Sequence, residues 1–279
     1  MTKKLLISIA TSTVLATSAL AHFQMVYTPN TALTKGKTIE FKHVFTHPFA
    51  DEHTMNMGQQ HDSKEFAPVE EFYVINKGKK KDLKSTLKDI SFKGNHNSGH
   101  GYSSKYKARR MGDHVVVMKP APYYESNEDV YIQQITKTIV NVAGTPTDWD
   151  TELGLKAEIV PLTKPYAIWE HGSFTGIVKS NGKVVPHAEI EVEYLNRDVN
   201  LKTNSMGKNK IEAPQDAFVT MGIKANKDGE FTFSIPKAGF WGFCALGAGS
   251  DKEYKGKELS QDAVIWIEAK KMNASHSNH

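Results

Sequence analysis

His22 is the residue with the most chemistry available to it, because of what stands before it. Ala19-Leu20-Ala21 is the small-x-small pattern after which a signal peptidase cuts, and a cut there leaves His22 with a free α-amino group beside its imidazole. The amine and Nδ1 can then close one chelate ring on a single metal ion. With ordinary pKa values near ~8 and ~6.5, both are available around neutral pH. Further donors crowd the segment that follows, at His43, His47, His53, Met55, Met57 and His61. Imidazole suits nickel, cobalt, copper and zinc, and thioether adds a preference for softer ions. On one ideal strand His43 and His47 stand ~13 Å apart. They share an ion only if the chain bends, or each joins donors from elsewhere. Pro48 keeps His47 extended and puts the turn after it.

Other histidines offer less. His96 and His100 sit in a Gly/Asn/Ser-rich stretch that reads as a loop able to wrap an ion, at an entropic cost that would keep affinity modest. His114 precedes an apolar run and reads as a core or supporting histidine. Tyr123, Tyr124, Glu125, Glu128 and Asp129 gather aromatics and carboxylates, the kind of wall that orients metal-bound imidazoles through hydrogen bonds. No Gly-x-Ser-x-Gly elbow, His-Glu-x-x-His, Walker loop or dinucleotide fingerprint is present. Cys244, the single cysteine, excludes an internal disulfide and lies in an apolar run that reads as buried.

The elements that must position these groups read as strands. Ile39, Phe41, His43 and Phe45 alternate with Glu40, Lys42 and Val44, the period of a half-buried strand. Val115 to Met118 is a short apolar run of the same kind. From Leu83 to Arg110 the chain is polar, lysine-rich and rich in Gly, Asn and Ser. The basic run Lys77 to Lys81 before it reads as a solvated loop face. A boundary is expected near Pro165, after the turn at Gly144 to Asp148. Beyond it, Asn181-Gly182 signals a type I′ hairpin, Lys227-Asp228-Gly229 another tight turn, and Phe231, Phe233 and Ile235 alternate. The fold class is therefore all-β: a β-rich domain over 22–165, and an immunoglobulin- or prealbumin-like β-sandwich over 166–279 with a flexible C-terminal tail.

Residues 1–21 read as a cleavable signal peptide, with Lys3 and Lys4 ahead of an apolar stretch too short for a permanent span. A periplasmic location and no transmembrane segment in the mature chain follow. The net charge of +4 falls to about +2 once Lys3 and Lys4 are removed. Such a balance points to no nucleic-acid partner and no anionic membrane.

Across nearly the whole mature chain, the sequence resembles the periplasmic components of nickel/cobalt uptake transporters, the NikK/CbiK-like family. The carrying segments are His22, Thr46-His47-Pro48-Phe49, Pro122-Tyr123-Tyr124-Glu125 with Glu128-Asp129, Thr136-Lys137, Gly154 to Leu162 with Pro165-Tyr166, and Ala238 to Phe243. The resemblance implies a non-enzymatic protein that captures Ni²⁺ or Co²⁺ and delivers it to a membrane metal-uptake permease. It carries a ligand role over to His22 and His47, with a third imidazole expected from His43, His53 or His114, and Tyr123 and Glu125 behind them. Gln134 departs from the pattern, where relatives often hold a histidine. Three alternatives stand beside this reading. They are a periplasmic copper chaperone or resistance protein, for which Met25, Met55 and Met57 would speak, a histidine-brace copper enzyme, and a structural β-protein.

Overall fold

The computed structural model describes residues 22–50 and 53–272; the expected signal peptide and the end of the C-terminal tail lie outside the described residues. Among these residues every element of any length is a strand, with two short 3-10 turns at Lys84–Thr86 and Asp216–Phe218. The all-β expectation holds. No helix among them is long and apolar enough to cross a membrane.

Three sheets stack in layers. A 12-stranded sheet forms the middle, with Glu189–Tyr194, Gly239–Ala245, Lys257–Lys270, Val130–Val142, Gly112–Lys119 and Glu71–Asn76 in spatial order along its path. A 7-stranded sheet built around Phe23–Tyr27, Lys37–Thr46, Ser98–Ala108 and Lys88–Lys93 covers one face. A 4-stranded sheet of Glu158–Pro161, Ser173–Ser180, Lys183–Val184 and Glu230–Ser234 covers the other.

Burial on both faces explains the apolar runs. Val116 and Met118 pack into the core under the 7-stranded sheet, while Val115 and Val117 pack into the core under the 4-stranded one. A strand covered on both sides needs apolar residues at every position, so alternation disappears. Phe174, Phe231 and Phe243 anchor the second core; Phe41, Phe45 and Phe72 anchor the first.

The middle sheet runs through the boundary expected near residue 165. Val130–Val142 pairs in parallel with Lys257–Lys270, from Tyr131↔Leu259 to Thr138↔Trp266. Glu158 seals the crossing region. Its carboxylate receives Lys137 Nζ at 2.8 Å, with both side chains buried, and the backbone N–H groups of Leu153 and Leu155.

The hairpin at Asn181-Gly182 forms as expected, with φ of 48° and 77°, both in the left-handed region that a type I′ turn requires. The polar stretch after Leu83 is a correction. It folds as Lys88–Lys93 paired with Ser98–Ala108, and Lys79–Asp82 is an edge strand of the middle sheet rather than a loop. Ser98–Ala108 buries Tyr102, Ser104, Tyr106 and Ala108 on one face and Gly99 and Gly101 on the other. The small residues among them blur the alternation that marks a strand.

Candidate metal centre

Two strand registers build the site. Phe23–Tyr27 pairs antiparallel with Lys37–Thr46, ending at Phe23↔Thr46. One step further along that register sets His22 opposite His47. The short strand Thr54–Met55 pairs with the other edge of Lys37–Thr46, ending at Thr46↔Thr54. One step beyond sets His53 opposite His47 as well, and His47 N–H donates to the His53 carbonyl at 3.4 Å. Three strand ends thus deliver three histidines in a row, with His47 in the middle. Direct cross-strand neighbours stand ~4.5–5.5 Å apart at Cβ, within reach of a shared ligand.

The His22 and His47 rings meet edge to face with centroids 4.7 Å apart. Phe45 and Tyr123 close the apolar side, 5.5 and 6.4 Å from the His22 ring. Glu125 Oε2 lies 3.5 Å from His22 Nε2. This leaves Nδ1, the nitrogen that can chelate together with an α-amine, as the ring's other donor. His53 is turned outward, its Nε2 3.2 Å from the Asn97 side-chain amide. Among the described residues no three His, Cys, Asp or Glu side chains are gathered around one point. The row is therefore a close pair, His22 and His47, with His53 at its rim.

Both rings of the pair are held neutral. Burial, and secondarily the positive charge His53 would carry, lowers the pKa of His22 to about 4. His47 falls to about 3 through burial first, then His22, His53 and Arg197. Neutral imidazole is the form that ligates a metal. The Tyr123 phenol is pushed up by burial and by Glu125, so it stays protonated.

Gln134 holds the backbone under the site. Its Nε2 donates to the His22 carbonyl at 2.7 Å and to Asp262 Oδ2 at 3.2 Å, while its Oε1 accepts from Gln24 N–H at 2.7 Å. Trp266 Nε1 donates to the Gln24 carbonyl at 2.9 Å and Thr138 Oγ1 to the Val26 carbonyl at 2.9 Å. The first strand is thereby fastened to the middle sheet from His22 onward. Gln24, Asn97 and Trp266 carried no signal in the sequence, because they act through pairings set by the fold.

Two expected ligands lie elsewhere. His43 is fully buried, with Nε2 2.8 Å from Ser104 Oγ and its ring against Phe41 and Phe72. It shares a face with His47 but sits four residues back along a straight strand. His114 is spent at both nitrogens, Nδ1 on Tyr106 Oη and Nε2 on the Arg110 carbonyl, each at 2.9 Å. The expected loop is found at His96, between Lys88–Lys93 and Ser98–Ala108, but not at His100. His100 belongs to Ser98–Ala108, with Nδ1 on the Met57 carbonyl and Nε2 on Asp89 Oδ1. Met25, Met55 and Met57 are core residues, and Met57 Sδ accepts from Gln24 Nε2 at 3.6 Å.

Comparison with known proteins adds a family and little else. No curated protein matches this sequence. Solved structures with similar features include the fibronectin(III)-like modules of Clostridium thermocellum CbhA, at 11% identity over 91% of this chain and 100% of that one, with a TM-score of 0.23. The D0-D1 domain of Intimin is 10% identical over 89% and 100%, with a TM-score of 0.20. The Yersinia pseudotuberculosis adhesin InvE is 13% identical over 87% and 58%, with a TM-score of 0.23. Similarity at this level carries nothing about the site. The family profile described as Domain of unknown function (DUF4198) matches residues 19–249, and the chain belongs to that family.

Proposed function

We propose that this chain is a periplasmic Ni²⁺/Co²⁺-binding protein that captures the ion and hands it to a membrane uptake transporter, without catalysing a reaction. The observation that carries the reading is the register that sets His22 against His47, with Glu125 at Nε2 of His22. Cleavage after Ala21 would add the α-amine as a third nitrogen. The donor set would then be the amine and Nδ1 of His22 with one nitrogen of His47. His53 stands near enough to join by turning from Asn97. Such a nitrogen-rich set with few hard oxygen ligands suits Ni²⁺ and Co²⁺ better than Mg²⁺ or Ca²⁺. A three-nitrogen site leaves coordination positions open, and an ion held that way can be passed on.

Calorimetric titration with Ni²⁺ tests the reading on two forms of the protein. One begins at His22; the other carries a single alanine ahead of it. Tight one-to-one binding by the first form and a loss of at least a hundredfold in the second is the expected result. Equal binding by both would move the site to internal histidines. No binding by either would end the nickel reading.

The same donors favour a second reading, in which the ion is copper, because Cu²⁺ binds nitrogen sites more tightly than Ni²⁺. A copper chaperone and a histidine-brace enzyme both fall here. The thioethers of Met25, Met55 and Met57 lend the Cu(I) version no support, since each is packed in a core. Turnover that depends on oxygen and a reductant in the copper-loaded protein would establish the enzyme.

A further inference from the structure

At the far end of the strand Lys37–Thr46 from His22 and His47, two hairpins form a concave surface lined by cations. Lys79 and Lys81 come from the edge strand Lys79–Asp82, and Lys107, Arg109 and Arg110 from the end of Ser98–Ala108 and the turn after it. Tyr106 forms the floor, with Lys81 Nζ 5.8 Å from its ring centroid. The register Lys37↔Ala108 puts this surface at the start of the strand whose far end leads to His47. The ten residues between set the two sites about 30 Å apart.

Convergence without any acid and a wall fixed in place separate this surface from ordinary solvated lysines. No Asp or Glu lines it. Like the exposed Lys183, Lys224 and Lys237, none of Lys79, Lys81, Lys107, Arg109 and Arg110 makes an ion pair among the described residues; what sets the five apart is that they line one concavity together. Lys80 reaches the rim too, but it is paired with Glu71 at 3.0 Å and lies over Tyr73. The wall is also fixed in place. At Gly36 an added Cβ would stand 2.6 Å from the Arg109 carbonyl oxygen, so the turn carrying Arg109 and Arg110 rests directly on glycine backbone. Five like charges facing one concavity repel one another, and a bound anion relieves that repulsion.

We infer that this surface is a binding site for a ligand carrying two or more phosphate groups, either a small free anion or a phospholipid headgroup. Each phosphate group holds up to two negative charges, which several converging cations neutralise in a small space. Arg109 and Arg110 supply forked donors that match phosphate oxygens in pairs, and the lysines supply point charge. The inference does not depend on the metal reading, since it uses none of the histidines.

The test uses the metal-free protein from His22 at ~0.15 M salt, where surface charges more than ~8 Å apart are screened. Pyrophosphate is titrated into it, and co-sedimentation is measured with vesicles of phosphatidylcholine alone and of phosphatidylcholine with cardiolipin, whose headgroup carries two phosphates. A triple variant Lys81→Gln, Lys107→Gln, Arg109→Gln is compared with a control triple of equal charge, Lys183→Gln, Lys224→Gln, Lys237→Gln, also at exposed positions. Pyrophosphate binding weakened at least tenfold in the first triple alone would sustain the site with a free anion as ligand. Binding to the anionic vesicles alone, lost in the first triple alone, would sustain it with a headgroup as ligand. Absence of both, or equal weakening in the two triples, would overturn it and leave the lysines as guards of an edge strand. Thermal midpoints of both triples should match the parent, which separates a lost site from a lost fold.

Discussion

Gln134 Nε2 donates to the carbonyl oxygen of His22 at 2.7 Å, and the same amide accepts from Gln24 N–H, so one side chain grips the peptide that follows the first proposed ligand. A chelate built on a chain terminus needs this kind of anchor, because a free N-terminal residue otherwise loses considerable entropy on binding. Gln134→Ala would leave the Gln24 N–H buried without its acceptor, at a cost of ~1–3 kcal/mol in stability. Nickel affinity should fall by roughly 10–100-fold, the range for loss of an orienting partner. The two effects are read separately, by thermal melting without metal and by calorimetry well below the midpoint. Unchanged affinity in a folded variant would remove Gln134 from the site.

Glu125 should matter through its acceptor oxygen. It lies 3.5 Å from His22 Nε2, accepts from the Asn127 N–H, and is almost entirely buried. Glu125→Ala removes the group that keeps Nε2 turned away from the ion, and is expected to weaken Ni²⁺ binding by roughly tenfold. Glu125→Gln keeps an acceptor and should retain most of the affinity. If the glutamine form is as weak as the alanine form, charge rather than ring orientation is the contribution.

The strands that can be read in the sequence are those whose inward residues are large. Ile39, Phe41, His43 and Phe45 alternate, and their strand is found at Lys37–Thr46. Ser98–Ala108 is harder to read, because Gly99 and Gly101 on one buried face and Ser104 between Tyr102 and Tyr106 on the other break the pattern. The pairing of His22 with His47 is a property of register between segments far apart in sequence, and register is fixed by tertiary packing. For the same reason the sequence left His43 among the candidates for a third imidazole beside His47. Both face one way on one strand, but only His47 reaches the end where Phe23–Tyr27 and Thr54–Met55 bring their histidines alongside. The carboxylate behind the site was visible as a composition, Tyr123 to Asp129, and the resemblance singled out Glu125, whose Oε2 lies 3.5 Å from His22 Nε2.

The buried pair Lys137–Glu158 should dominate the stability of the region where the two halves meet. Removing one partner of a buried ion pair leaves an uncompensated charge and typically costs ~3–5 kcal/mol. Lys137→Met is expected to fall in that range by urea unfolding. Glu158→Leu should cost more, because Glu158 also accepts from the backbone of Leu153 and Leu155. The double variant should recover only part of the loss, since those two N–H groups stay unpaired. Full recovery would mean that the loop contacts contribute nothing.

His43 makes stability depend on pH, and independently of any metal. Burial first, and Lys42 second, lowers its pKa to about 3 in the folded chain, against ~6.5 when unfolded. The unfolded state therefore binds a proton between these values and the folded state does not. Stability from this group is complete above pH ~6.5 and drains away as pH falls toward 3. By pH 5 the loss is about 2 kcal/mol. His22 and His47 drain in the same direction, so the parent protein should lose stability steeply on acidification. His43→Leu gives up the contact with Ser104 and is less stable at pH 7, but its stability should fall with acid by one proton's worth less than the parent's. Urea midpoints at pH 7, 6 and 5 measure the two slopes. Parallel slopes would mean that His43 takes up its proton in the folded chain, and that the core around Phe41 and Phe72 admits water.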